Sequence, residues 1–217
     1  LRFESNGPHR HRRVALPDSS MADARRSLRA SLRARRRAVS AAARARAAAR
    51  VARLAEHALD LRSGRRIGIY AATAEELDTS RLIALALRRG GLVYLPRIDR
   101  RPRVRAMRFA RLSGRQSVNR FGIAEPAGPP LASASLLDVV FLPLVGFDRH
   151  GTRLGMGGGY YDRAFAFLRR RSVRRAPLLV GIGYASQEVD RIASAAHDVP
   201  LDLVITERGV IRCARAG

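Results

Sequence analysis

Apolar residues recur along this chain with two periods. From Asp23 to Leu61 the sequence is almost entirely Ala, Arg and Leu, strong helix formers, with Leu28, Leu32 and Val39 near helical spacing. Ser40 is placed to cap a second helix carrying Val51, Leu54, Ala55 and Leu59, so the region reads as an amphipathic helical pair packed on the rest. After Arg62-Ser63-Gly64 the pattern changes. The runs "RIGIYAA" (66–72) and "LVYLPRI" (92–98) predict buried strands, separated by a helix over "TSRLIALALRRGG" that ends at glycine. "AMRFARL" (106–112) predicts a shorter strand. "LDVVFLPLVGFD" (137–148) is the most apolar strand candidate, leading through a glycine-rich loop to a helix from Tyr160 to about Arg171. "PLLVGIGY" and "LDLVITE" supply two more strands.

Strands alternating with helices predict an α/β domain with a largely parallel sheet, in which ligands bind outside the carboxyl ends of the strands. Residues 1–20 mix Pro, Gly, His and Arg without an apolar period and read as a disordered tail, an over-extended start ahead of Met21. Residues 21–217 then form a single domain.

Composition narrows the function classes. No apolar run approaches the roughly 20 residues of a membrane helix, and the N-terminus lacks the apolar centre of a signal peptide. A single cysteine, Cys213, offers neither a disulfide framework nor a cysteine metal site, so the expected location is the cytoplasm. The formal charge of +24 invites a nucleic-acid reading. All 42 basic residues are arginine, however, and they are spread over the whole chain. That distribution fits a compositional bias, with arginine stems lying along helix faces, better than a dedicated nucleic-acid surface. No membrane and no specific nucleic-acid partner are expected, and a monomer is favoured.

The candidate chemistry lies in "FDRHGTRLGMGGGYYDR" (147–163), with glycine at 151, 155, 157, 158 and 159. A strand, a glycine-rich loop and a helix in that order present bare backbone N–H groups and a helix N-terminus to one point, which suits an anion. Arg153 adds a guanidinium fork, and Asp162, in the first helical turn, is placed to hold Mg²⁺ against phosphate oxygens. The run is neither a P-loop nor a dinucleotide fingerprint. A loop arginine contributes little core burial, so Arg153→Ala is expected to impair phosphate binding far more than folding.

This loop resembles the signature of the 5-formyltetrahydrofolate cyclo-ligases, or 5,10-methenyltetrahydrofolate synthetases. The similarity extends from "RRSLRASLRARRRAVS" to "DLVITE", through "EELDTSRLIALALRRGGLVYLPRI", "FGIAEP", "DVVFLPLVGFD" and "HDVPLDLVITE" in the family's order. It implies a Rossmann-like three-layer α/β domain of the ribose-5-phosphate isomerase and CoA-transferase kind, preceded by N-terminal helices. It also implies ATP- and Mg²⁺-dependent closure of 5-formyltetrahydrofolate to 5,10-methenyltetrahydrofolate. In that chemistry the formyl oxygen is phosphorylated, N10 attacks the activated carbon, and phosphate departs, leaving ADP.

Carried residue by residue, the resemblance implies that Arg25 and Arg29, spaced i,i+4 on one helix face, reach the nucleotide phosphates. Arg153, Leu154, Gly155, Met156, Gly157, Gly158, Gly159, Tyr160 and Tyr161 form the ATP-binding segment, Met156 to Tyr160 lying also close to the folate. Arg153 and Tyr160 are the residues nearest the reacting groups, although Tyr160 is left with two roles, stacking on the ligand or packing on the core. Gly158 stands where some relatives carry lysine. Asp162 and Asp198 match the metal carboxylates, Glu76 the folate-binding glutamate and Ala71 a folate contact, with Glu75 read as a bystander. "GIGYASQ" departs from the family pattern and leaves Gln187 without an assigned role. His150 and His197 lack a nucleophile partner. A basic nucleic-acid-associated protein, or another phosphate-handling enzyme on the same fold, are the competing readings.

Overall fold

The computed structural model describes residues 18–98, 106–114, 116–118, 124–131, 133–169 and 176–214. The helical pair forms as α1 (Asp18–Arg37) and α2 (Ala41–Ala58). Between them Ser40 is extended, and its hydroxyl accepts from the Ala43 amide at 3.3 Å, so one orphan donor of α2 is capped. Of the tail expected at 1–20, residues 18–20 belong to α1; residues 1–17 lie outside the described residues. The face α2 turns inward is small and apolar, with Ala47, Ala48, Val51, Ala52 and Ala55 buried, which lets the helix lie close on the sheet.

The chain then lays down β1 (Arg66–Ile69), α3 (Ser80–Arg88), β2 (Leu92–Ile98) and β3 (Met107–Arg111). A small hairpin, β4 (Gln116–Val118) and β5 (Ala124–Pro126), precedes β6 (Val139–Pro143). Next come the hairpin of β7 (Gly146–Phe147) and β8 (Arg153–Leu154), the short α4 (Tyr160–Ala164), β9 (Leu178–Ile182), β10 (Leu203–Thr206) and β11 (Gly209–Arg212). Seven strands make one sheet in the order β11-β10-β9-β6-β1-β2-β3. The five strands β10, β9, β6, β1 and β2 are parallel, and β11 and β3 run antiparallel at the edges. The largely parallel α/β sheet expected from the sequence is therefore present.

Strand alternation divides the core between the two faces. On β6, Val139 and Phe141 join the cluster under α2 and α3, whereas Val140 and Leu142 face the opposite cluster with Phe109, Phe165 and Leu201. Such two-sided burial is why these strands read as continuous apolar runs rather than alternating ones.

Several predicted elements are shorter than their sequence pattern, the first strand ending at Ile69 rather than Ala72, and two of them are shortened most. The strand over 137–148 stops at Pro143 because the next acceptors are taken elsewhere: the Gln187 side-chain amide donates to the Leu144 and Val145 carbonyls at 2.8 and 2.9 Å. Gln187 thus has a structural role, and it is 1% exposed. The helix predicted from Tyr160 to about Arg171 runs only to Ala164 and passes into a 3-10 turn over Ala166–Arg169, because Phe165 turns inward and is fully buried. Residues 170 and 171 lie outside the described residues.

α1 docks at the carboxyl end of the sheet through Leu32, which is fully buried with Val145, Leu154 and Ile192. Gly146 makes this possible. A Cβ there would meet the Leu32 side chain at 2.4 Å.

Candidate active site

β1 and β6 are parallel neighbours, and the chain leaves them in opposite directions, β1 continuing to β2 and β6 to β9. That is a topological switch point, where an open α/β sheet leaves a crevice. Here the crevice is a cleft of about 1900 Å³. Its walls come from the ends of β1 (Tyr70, Ala71) and β6 (Pro143, Leu144), from one face of α1, from the glycine loop and from the loop preceding Val199.

The cleft collects Arg25, Arg29, Ala71, Glu76, Arg153, Gly155 to Tyr161, Asp162 and Asp198. Of the candidate site residues only Leu154 is directed elsewhere, fully buried in the cluster that seats α1. The arginines on α1 extend further than the two singled out from the sequence. Arg33 and Arg36 line the same cleft, and steps of four, four and three residues put all of them on one helix face. In a helix where arginine is nearly everywhere, this stripe had no contrast against its background.

These groups are held in defined pairs. The Arg25 guanidinium donates to Asp198 Oδ2 at 2.6 Å and to Oδ1 at 3.3 Å, and also to the Ala193 carbonyl at 2.9 Å. Arg29 Nε donates to the Gly155 carbonyl at 2.8 Å, tying α1 to the glycine loop. Burial, and then the neighbouring Arg25 and Arg26 charges, push the Arg29 guanidinium below its ordinary pKa. Such crowding of cations favours any anion that enters.

Arg153 donates to Asp162 Oδ1 at 2.8 Å and lies over the Tyr161 ring at 5.6 Å. It is 6% exposed, which overturns the expectation of a loop arginine with little burial: it sits in β8, and the Asp162 pair lets it be buried. Its Nε is buried with no hydrogen-bond partner among the described residues, as are those of Arg33, Arg36 and Arg65. Asp162 Oδ1 also accepts from the Val199 amide at 3.3 Å, bringing the Asp198 loop alongside, and its Oδ2 carries no hydrogen bond among the described residues.

The glycine loop is bare for conformational reasons as well as for access. Gly157 and Gly159 have φ of +95° and +63°, a region that side chains disfavour. Among the described residues the N–H groups of Met156 to Gly159 make no hydrogen bond within the protein. Because α4 is a single short turn, its dipole adds little, and what the loop offers to an anion is these amides and Arg153. The Tyr160 ring packs on the core cluster and also forms part of the cleft wall, with the Arg163 guanidinium over it at 5.3 Å.

The opposite rim is the turn from Thr73 to Leu77. Glu76 Oε2 accepts from the Thr73 amide at 2.9 Å and from its hydroxyl at 3.0 Å. Glu75 is no bystander to the fold. Its carboxylate takes the buried Arg36 at 2.9 Å, with Arg33 and Arg37 at 3.4 and 3.6 Å, and the Arg36 hydrogen bond holds its pKa below the ordinary value. Nothing in the spacing announced this, because the partners lie about 40 residues away in sequence.

An open parallel sheet with a cationic, glycine-floored crevice at its switch point defines the general class: an α/β protein whose strand ends form a crevice suited to an anion. The model of the 5-formyltetrahydrofolate cyclo-ligase family matches residues 21–207, and the chain belongs to that family. It is 33% identical over 154 residues to the 5-formyltetrahydrofolate cyclo-ligase of Haemophilus influenzae, covering 68% of this chain and 80% of the relative. It is likewise 33% identical over 144 residues to that of Escherichia coli, covering 64% and 76%. The solution structure of Aquifex aeolicus 5,10-methenyltetrahydrofolate synthetase superimposes with a TM-score of 0.73 at 28% identity, covering 89% of this chain and 94% of that one. No described helix is long and apolar enough to cross a membrane.

Proposed function

We propose that this chain closes 5-formyltetrahydrofolate to 5,10-methenyltetrahydrofolate at the expense of ATP. The observation that carries the reading is that phosphate-binding groups and the Glu76 carboxylate, far apart in sequence, line the two rims of one cleft.

The chemistry asks two things of the protein. The formyl oxygen is a poor leaving group, so it attacks the γ-phosphorus of ATP, giving ADP and a phosphorylated imidate. N10 of the folate then bonds to the activated carbon and gives up its proton to the departing phosphate or solvent, the C–O bond breaks and phosphate leaves, which closes the methenyl ring. Phosphoryl transfer of this type depends on alignment and charge neutralisation more than on covalent help. Arg153 is the residue proposed to touch the transferring phosphoryl group. It lines the cleft, and the hydrogen bond from its Nη2 to Asp162 fixes the guanidinium fork beside the glycine loop. The Met156 to Gly159 amides surround the same anion, and Arg25 and Arg29 neutralise the remaining phosphates. Tyr160 forms the wall between nucleotide and folate. Glu76 accepts hydrogen bonds from the amino and ring N–H groups of the pterin, and Ala71 packs beside it.

Mg²⁺ suits the residues present. Such an ion takes one or two carboxylates and completes its shell with phosphate oxygens and water. Asp162 has an oxygen to give; Asp198, whose oxygens both face Arg25, has one only as Arg25 turns to the phosphates. The metal, when bound, neutralises charge building on the phosphoryl oxygens.

The test is direct. Purified protein given ATP, Mg²⁺ and 5-formyltetrahydrofolate should develop the near-ultraviolet absorbance of the methenyl product as ADP accumulates. Folded protein that yields neither overturns the reading.

A further inference from the structure

We propose that Arg44 is a positioning residue for the Glu76 side of the cleft, acting through the backbone of the Ala74–Glu75 turn. The inference rests on the proposed role of Glu76 in orienting the pterin.

Arg44 lies in the first turn of α2 and does not line the cleft. Its guanidinium meets backbone carbonyls from separate segments. Nε donates to Val39 at 2.9 Å, Nη1 to Ala74 at 3.0 Å and Glu75 at 3.2 Å, and Nη2 to Arg36 at 2.9 Å and Arg37 at 3.4 Å. The same fork therefore caps the C-terminal carbonyls of α1, holds the α1–α2 linker and grips the turn that carries Glu76. Its plane also lies over the Tyr184 ring at 5.8 Å, and the Tyr184 hydroxyl donates to the Glu76 carbonyl at 3.4 Å.

The turn needs such support. From Ala74 to Leu77 the chain belongs to no helix or strand, and its carbonyls are met by side chains from elsewhere: Ala74 and Glu75 by Arg44, Glu76 by Tyr184, Leu77 by the Tyr70 hydroxyl at 2.9 Å. Without the Arg44 contacts two successive peptide units turn to solvent beside the residue that must hold its carboxylate in one direction. The same bond set joins this turn to the C-terminal end of α1, whereas Arg25 and Arg29 lie toward its other end, held there by Asp198 and the Gly155 carbonyl, so the brace serves the Glu76 rim. A lysine cannot replace it: an ammonium is a point donor that cannot span acceptors on several sides, whereas the planar fork can.

Removing the brace should loosen folate recognition without touching the phosphate groups. For Arg44→Met, assayed well below its melting temperature, the KM for 5-formyltetrahydrofolate should rise about tenfold or more, the factor expected for a lost charge-assisted hydrogen bond. The KM for ATP should move by less than about threefold, within the range of a contact not made. Arg44→Lys should recover only part of the folate KM. A merely structural role would depress stability and leave both KM values alone, or raise them together, and either result overturns the proposal. Glu76→Gln separates this inference from the reading beneath it. If Glu76→Gln leaves the folate KM unchanged, the pterin role of Glu76 is wrong. If it raises the KM and the double variant is no worse than Glu76→Gln alone, Arg44 acts through Glu76; if the two effects add, it does not.

Discussion

The two rims of the cleft solve opposite problems. At the Thr73–Leu77 turn hydrogen bonds from Glu76 itself, Arg44, Tyr184 and Tyr70 hold each carbonyl, and the Glu76 carboxylate is aimed by Thr73. At the glycine loop the amides from Met156 to Gly159 have no protein partner among the described residues. A carboxylate that reads a flat heterocycle gains from a fixed direction, so its turn is braced on every side. A phosphate accepts donors from many directions and changes shape in the reaction, so its site is better served by donors left over. A fixed carboxylate at one rim and unengaged amides at the other follow from the shapes of the ligands proposed for them.

The largest blow to this contrast should come from Arg153→Ala. Loss of a preorganised donor to a developing phosphoryl charge should lower kcat by about 100-fold or more. Because Arg153 is buried against Asp162 and Tyr161, the melting temperature should also fall, and kinetics taken alongside thermal unfolding separate the effects. A variant that is folded at the assay temperature and fully active would mean that Arg153 does not touch the transferring phosphoryl group.

Asp162→Asn tests the same rim more gently. It keeps one acceptor for Arg153 and the Val199 amide but weakens any grip on a cation, so the Mg²⁺ dependence of turnover should shift to higher concentration by about tenfold, the lower end for altered metal ligation. An unchanged titration would exclude Asp162 as a ligand.

The smallest effect is expected at the braced rim. Glu75→Gln should cost about 2–4 °C in melting temperature near neutral pH, the scale of a partly exposed ion pair in a chain of this size. Its dependence on pH has a definite sign. The folded Glu75 carboxyl sits below its ordinary value of 4.5, so its contribution is complete above that value and lost as the pH falls through the lowered folded one. The gap between wild type and variant in thermal melts should therefore close on acidification. A gap that persists or widens in acid would show that the Arg33–Arg36–Arg37 cluster does not act through the charge of Glu75.

Much of this arrangement was legible in the sequence because it is local. The Ser40 cap, the strands at 66–69, 92–98 and 178–182, and the glycine loop each declare themselves within a few residues, by periodicity or by composition. Asp162 and Arg153 could be paired on paper because they flank one loop. Gln187 and Arg44 could not be placed. Their acceptors at Leu144, Val145, Ala74 and Glu75 are backbone carbonyls, which leave no trace in the identity of the residues that bear them. Arg33, Arg36 and Arg44 were also hidden by their surroundings, since arginine is the commonest polar residue of those helices.

The sequence by itself determined the strand and helix order, hence a largely parallel sheet, and the loop chemistry that matches the family. Those properties follow from hydrophobic period and from glycine's backbone freedom, which act over short stretches. Only the tertiary structure decided that Arg153 is buried rather than exposed, that the Tyr160 helix stops after one turn, and that α1, seated on Gly146 by Leu32, brings its arginines over the crevice. Burial, helix length against a packed aromatic and the meeting of distant segments are properties of the assembled core, where each residue's environment is made by parts of the chain remote from it.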